Sequence, residues 1–338
     1  MKTKYDLLIQ HMENKEIFSK TDYTFYEYVD ELLKFQNYSA GLIFDGSETG
    51  RQKIYEVISK VEEDARKKNL QRKKEIREMV SSLNILNKEI SIAMAGVNAE
   101  NRIDRCLQHV NREDIQVFKS VYLQDAEAET EIDKVILTKS GIIVLEIKNA
   151  KEDITIDRNG RILFNNSSCY HDISIGDKME CKRRLLRNSL EQAMRNSGVE
   201  FPVDITSFVV FSTPHNKRVK VTDLFGKERY CFKSSINRIV ENHDGMTEMT
   251  EEEYEVLSQA LATLETRRKG FALPFDPDEF KQIFANGYLA LYEGNKKKMR
   301  FLDENHSMDH LYLKKRISAR IEHLSNKLSK LAARLATA

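Results

Sequence analysis

Hydrophobic positions fall into distinct regimes along the chain. From Arg51 to Ala93, apolar residues recur with helical spacing (Ile54, Val57, Ile58, Val61, Ala65, then Ile76, Met79, Val80, Leu83, Leu86, Ile90) with no glycine or proline between, a pattern that predicts one long helix with a narrow apolar face. Charged residues between Asp64 and Arg77 interrupt this seam, so the middle of the helix is expected to project into water or to meet a partner through side-chain stems. Gly96 is expected to stop it, and a second helix to run from about Asn98 to Leu107. The period then changes. Val117–Leu123, Ile132–Leu137 and Ile142–Lys148 are short apolar runs bounded by turn signals, which predict three strands, with Ser140-Gly141 as the turn of a hairpin. Near the carboxyl end, Leu313, Ile317, Ile321, Leu324, Leu328, Leu331 and Leu335 follow one another in steps of four and three that alternate from Ile317 on, the seam of a coiled coil. Such a seam needs a partner helix, either the long amino-terminal helix of the same chain or the same segment of a second subunit.

The remaining elements follow from local signals. Residues 1 to about 45 mix aromatics with acids and favour a short amphipathic helical segment. Asn159-Gly160 marks a hairpin between Ile154–Ile156 and Arg161–Phe164. A helix carrying Gln192, a strand over Ser207–Ser212, edge strands over Val219–Val221 and Tyr230–Phe232, and a short helix over Ser234–Glu241 complete the centre. Thr250 and Glu253 form a capping-box pattern that opens a helix to about Lys269, and the Pro274-Phe275-Asp276-Pro277 corner marks a boundary. The expected fold class is α/β, a mixed-sheet core flanked by long amino- and carboxyl-terminal helical, coiled-coil arms. The domains are a helical arm over 1–95, an α/β core over 96–245 and a helical region over 246–338.

With 338 residues the chain exceeds one typical domain. Its 32% charged residues balance to a net charge of +1, which excludes a polybasic protein whose affinity comes from bulk charge; any contact with nucleic acid must be local. Cys106, Cys169, Cys181 and Cys231 lack C-x-x-C spacing, so neither a disulfide framework nor a zinc ribbon is suggested. Gly46–Lys53 fails the phosphate-loop pattern and reads as a turn. The most apolar stretch, Ile142–Leu145, is far too short to span a bilayer and the amino terminus lacks an apolar signal core, so a soluble, cytoplasmic protein with no membrane partner is expected.

The hairpin carries the chemistry. Side chains alternate along a strand, so Glu146 and Lys148 project from one face, and the turn brings Asp133 towards Glu146. Hydrolysis of a phosphodiester needs an activated water and neutralisation of phosphate charge, which Mg²⁺ held by carboxylates supplies. Asp133 and Glu146 are the candidate ligands, since Mg²⁺ commonly takes only one or two protein carboxylates; Lys148 would orient the water or offset developing charge. After the Asn-Gly hairpin the chain turns basic, and Lys182, Arg183, Arg184, Arg187 and Arg195 on the helix of Gln192 are candidates to clamp a phosphate backbone.

The segment from about Gly96 to Asp244 resembles the nuclease-related domain (NERD), a branch of the restriction-endonuclease-like PD-(D/E)xK superfamily. The resemblance rests on Gly96-Val97-Asn98-Ala99-Glu100 opening a helix, Glu131-Ile132-Asp133 beginning a strand, Gly141 to Lys148 closing the hairpin, Asn188-Ser189-Leu190-Glu191-Gln192 in a helix, and the strand Ser207–Ser212. Isoleucine stands before Asp133 and Ser189 stands in the helix motif where proline is common, and no tryptophan follows Gly160. The resemblance implies a restriction-endonuclease-like core and a Mg²⁺-dependent (or Mn²⁺-dependent) nuclease. It places Glu100 as a helix acid over the metal and Gln192 as a polar residue of the flanking helix. It favours DNA over RNA as substrate and suggests a part in defence against foreign DNA. The competing expectation is a catalytically silent module that binds nucleic acid on a nuclease fold, or an assembly that self-associates through the carboxyl-terminal helix.

Overall fold

In the computed structural model the apolar runs between Gln116 and Lys148 form three antiparallel strands, β1 (Gln116–Gln124), β2 (Glu129–Thr138) and β3 (Gly141–Lys148). The structure describes residues 3–44, 52–149, 153–164, 168–169, 174–213, 218–222, 229–245, 247–266 and 270–298. The heptad seam from Leu313 to Leu335, the Gly46–Gly50 turn and Lys269 lie outside the described residues. At the β2–β3 turn Gly141 has φ +136°, and a Cβ there would stand 3.1 Å from the Asp204 carbonyl oxygen, so only glycine fits.

Strand β3 is buried along its length except at Lys148, because helices cover both faces of its sheet. It continues in parallel to β7 (Ile205–Phe211), and β7 to β9 (Arg229–Phe232), giving a mixed five-stranded sheet in the order β1-β2-β3-β7-β9. A parallel neighbour requires a crossover, and that crossover includes the helix α5 (Ile175–Ser197), capped by Ser174, whose hydroxyl accepts from the Asp177 amide at 3.0 Å. A second sheet, ordered β6-β5-β4-β8, comprises β4 (Ile154–Ile156), β5 (Ile162–Phe164), β6 (Ser168–Cys169) and β8 (Val219–Val221).

The two faces of the main sheet have separate cores. Val135, Leu137, Ile142, Val144 and Val209 pack with Leu186 and Leu190 of α5 and with Leu257 and Leu261 of α7 (Glu251–Thr266). The Thr250–Glu253 capping box is formed, with Thr250 N donating to Glu253 Oε2 at 2.7 Å and Glu253 N to Thr250 Oγ1 at 3.3 Å. On the other face Ile136, Ile143, Leu145 and Ile147 pack with Ala99, Ile103 and Leu107 of α4 (Lys74–Leu107) and with Ile236 and Val240 of α6 (Ile236–Glu241).

The long amino-terminal helix is two helices. Helix α3 spans Ile54–Lys67 and α4 begins at Lys74. Asn69 sits in the left-handed region (φ +56°), Leu70 N reaches Ala65 O at 2.9 Å and Asn69 N reaches Arg66 O at 3.1 Å, a Schellman stop in which asparagine does the work of glycine. Conversely α4 runs straight through Gly96, where a Cβ would touch the Phe25 ring at 3.4 Å. A single helical glycine costs about 1 kcal/mol relative to alanine and does not by itself end a helix.

The chain forms two compact units. Among the described residues, one is drawn from those up to Thr21, Tyr28–Ile90 and 272–298, the other from Asp22–Glu27 and Ser91–Phe271. This division differs from a serial one at 95 and 245: α7 packs on β1 within the α/β unit, while α8 (Pro277–Tyr292), started by the Asp276 cap and Pro277, belongs with α1 (Lys4–Asn14), most of α2 (Phe25–Ile43) and α3. The core of that helical unit is aromatic, with Phe35 against Phe18, Phe280 and Phe284 at ring separations of 5.3, 5.0 and 5.0 Å. No helix among the described residues is long and apolar enough to cross a membrane.

Candidate functional site

The β2–β3 ladder ends at the pair Lys134–Leu145, and continuing its register sets Asp133 opposite Glu146. Beyond that pair the strands exchange no further ladder bonds, and the amide of Ile147 donates to Asp133 Oδ2 at 2.6 Å. On the other side of β2, the β1 ladder omits Ser120, which takes φ +52° opposite Asp133. The backbone is therefore irregular on both sides of this aspartate, a conformation more costly for serine than for glycine.

Glu146 lies between Leu145 and Ile147, both of which face α4 and α6, so strand alternation turns its side chain to the face of α5. There it is buried (8% exposed) and gripped by two ammonium groups: Lys148 Nζ donates to Oε1 at 2.5 Å, and Lys182 Nζ donates to Oε2. Lys182 is itself buried, in the stripe of α5 that also carries Ile175, Met179, Leu186 and Leu190. Lys178, one turn earlier, feels the same cluster: burial first, and then Lys148, lower its pKa. Burial, and next the Glu146 carboxylate, push the Asp133 carboxyl up to about 7, whereas the two lysines hold Glu146 below the usual carboxylate range against the opposing effect of its burial. The site thus sets two adjacent carboxylates under three lysines.

Ties at the strand ends hold this geometry. Ser212 N donates to Lys148 O at 2.9 Å, Arg102 of α4 donates to Ser212 O at 2.8 Å, and Asn149 donates to Ala95 O at 2.8 Å.

The structure brings Asp133, Glu146 and Lys148 together, and it brings Lys182 to them rather than to an outer groove. Glu100 is elsewhere: it projects from α4 onto the opposite face of the sheet, where its carboxylate lies 3.4 Å from Lys134 Nζ. Lys134 is fully buried and also pairs with Asp104 at 3.2 Å. Because Lys134 follows Asp133 directly in β2, alternation alone separates the two clusters. Gln192 is exposed and bonded along its own helix, to Asn196 at 2.8 Å and from Arg195 at 3.3 Å.

The basic residues of α5 do not form one groove. At 100° per residue they spread around the helix. Arg183 turns inward and donates to Ser207 Oγ at 2.5 Å, Arg184 pairs with Asp125 at 3.2 Å, Arg195 lies 3.8 Å from Glu191, and Arg187 is exposed. The signal for Lys182 is present in the sequence, as a lysine at an apolar-stripe position between Met179 and Leu186. Cys106, Cys181 and Cys231 are free thiols.

Among the described residues no group of three or more His, Cys, Asp or Glu side chains converges as a metal cage. The donor chemistry of the site nevertheless fits a hard cation. Asp133 and Glu146 are oxygen donors on neighbouring strands, and the like-charge repulsion between them is what a cation would relieve.

The site thus sits on a mixed five-stranded sheet covered by helices on both faces, with an acid on one strand and an acid and a lysine on the next. A family model described as the nuclease-related domain matches residues 95–212, a span that contains Asp133, Glu146, Lys148 and Lys182, so this segment is similar to that family. No curated protein and no solved structure matches the chain.

Proposed function

We propose that the α/β unit is a Mg²⁺-dependent nuclease that hydrolyses phosphodiester bonds, with DNA favoured over RNA. The observation that carries this reading is the convergence of Asp133, Glu146 and Lys148 on one sheet face inside the segment matched by the nuclease-related model. Asp133 and Glu146 would hold the cation, Mg²⁺ or Mn²⁺, which when bound supplies charge neutralisation at phosphate and a more acidic water. Lys148 is 36% exposed at the end of β3, and its ammonium would meet a phosphate oxygen or orient water. Lys178, beside it on the first turn of α5, adds a second positive charge at the entrance, so that the site as a whole favours an anion. Exposed Arg187 offers an outer backbone contact on the same helix. The preference for DNA and a role in defence rest on the family resemblance, since these groups address phosphate rather than sugar.

A second reading, a silent nucleic-acid-binding module, is favoured by one observation: both oxygens of Glu146 are already neutralised by lysines. The test is digestion of linear, circular and single-stranded DNA and of RNA with Mg²⁺ or Mn²⁺ and with chelator, comparing wild type with Lys148→Ala and Asp133→Asn. Metal-dependent cleavage lost in both variants supports the enzyme. Binding without cleavage by wild type supports the module.

A further inference from the structure

We propose that Lys182 is a resident counter-ion of Glu146, and that a divalent cation binds this site only by displacing its ammonium. This inference rests on the reading of Asp133 and Glu146 as the cation-holding pair.

Two ammonium groups contact Glu146, and they are not equivalent. Lys148 stands at a strand end with 36% of its side chain exposed, so water reaches it directly. Lys182 is 7% exposed and emerges from the apolar stripe of α5, with Glu146 Oε2 as its anionic partner. The helix that delivers it is fastened to the fold: Ile175 N donates to Gly160 O at 2.8 Å, the Ser174 cap closes the first turn, and Arg183 donates to Ser207 at 2.5 Å. A buried lysine is tolerated where a carboxylate compensates its desolvation, and here the same contact offsets one of two adjacent carboxylates.

The consequence is competition at one oxygen atom. A divalent cation on Glu146 and the Lys182 ammonium repel each other in a poorly solvated site, where charge interactions exceed their strength in water. Lys182 therefore keeps the cation-free site ordered and lowers its affinity for metal. Metal affinity is set by an exchange of cations rather than by filling of a bare carboxylate pair.

The experiment measures Mn²⁺ binding to the full chain, by calorimetry and by the magnetic resonance signal of free Mn²⁺, with no nucleic acid present. The expected result is that Lys182→Met binds Mn²⁺ tighter than wild type by about tenfold or more, that Lys182→Arg, which keeps the charge, does not, and that adding Asp133→Asn to Lys182→Met removes the gain. A thermal-shift readout should move in parallel, with Lys182→Met gaining more melting temperature from Mn²⁺ than wild type does. Equal or weaker binding in Lys182→Met overturns the proposal. If that variant does not fold, Lys182→Gln carries the same expectation and the same overturning result. The outcomes also separate this inference from the nuclease reading. Cleavage by wild type without tighter binding in the variant leaves the nuclease and removes the exchange; tighter binding in the variant with no cleavage by either protein does the reverse.

Discussion

The two faces of the five-stranded sheet each bury charge, and they do so in opposite proportion. On the α4 face a single buried ammonium, Lys134, lies between the carboxylates of Glu100 and Asp104, and Asp104 is further paired with Lys119 at 2.7 Å. On the α5 face two carboxylates, Asp133 and Glu146, share three lysines, and one carboxyl is driven upwards by burial and next by its neighbour's charge. Adjacent residues of one strand, Asp133 and Lys134, supply the centre of each. The α4 cluster puts a cation between anions, which is how a fold satisfies a buried charge. The α5 cluster forces like charges together, and that arrangement makes sense where a ligand completes it. Burial is common to both, so burial does not distinguish them; charge frustration does.

The comparison can be broken first at the α5 face. Lys148→Ala should lower metal-dependent cleavage by about 10²–10³-fold while leaving the circular dichroism spectrum unchanged. Retained cleavage would remove Lys148 from the chemistry. At the α4 face, Lys134→Met should lower unfolding free energy by about 3 kcal/mol in a denaturant titration, because it takes the buried cation from the partly open Glu100 carboxylate and leaves Asp104 with Lys119 alone. A loss within measurement error would mean that Lys134 is not what binds α4 to β2.

A smaller effect separates the faces by pH. In the metal-free protein the Asp133 carboxyl titrates above its unfolded value, so the folded chain holds a proton there that the unfolded chain has released. Stability from this group is therefore lost as pH rises from about 4 through about 7. Glu146, held low, acts in the opposite sense: its contribution is present above its unfolded pKa and is lost as pH falls below about 4. Asp133→Asn should thus gain stability relative to wild type as pH is raised across that upper window, measured as melting temperature in chelator. A difference independent of pH would contradict the assigned repulsion. The smallest effect belongs to Ser120→Gly, which relieves a positive φ beside Asp133 and should stabilise by about 0.5–1 kcal/mol in the same denaturant assay.

Strands β1 to β3 are legible because apolar runs, a Ser140-Gly141 turn and period-two alternation agree with one another over consecutive residues, and Asp133, Glu146 and Lys148 follow from them. The break at Asn69 and the continuity through Gly96 are not, because asparagine in the left-handed region and glycine within a helix each reverse the usual punctuation. Glu100 goes to the other face because a short helix motif says nothing about which side of the sheet the helix will cover. Lys182 joins the site through a crossover whose docking is a tertiary event; a basic run reads as a solvated face until the apolar stripe around one of its members is counted. The pairing of α8 with amino-terminal helices is likewise non-local, and no periodicity within α8 specifies it.

The separations along the chain bear on the order of assembly. Asp133 meets the amide of Ile147 only 14 residues away, so the acidic hairpin can close early, whereas Lys182 reaches Glu146 from 36 residues away and only after the crossover has docked. Local contacts form ahead of distant ones because loop closure costs less. During synthesis there is therefore an interval in which the hairpin has emerged with its paired acids and Lys148 but without the lysines of α5, so the carboxylate pair is formed before its buried counter-ion arrives.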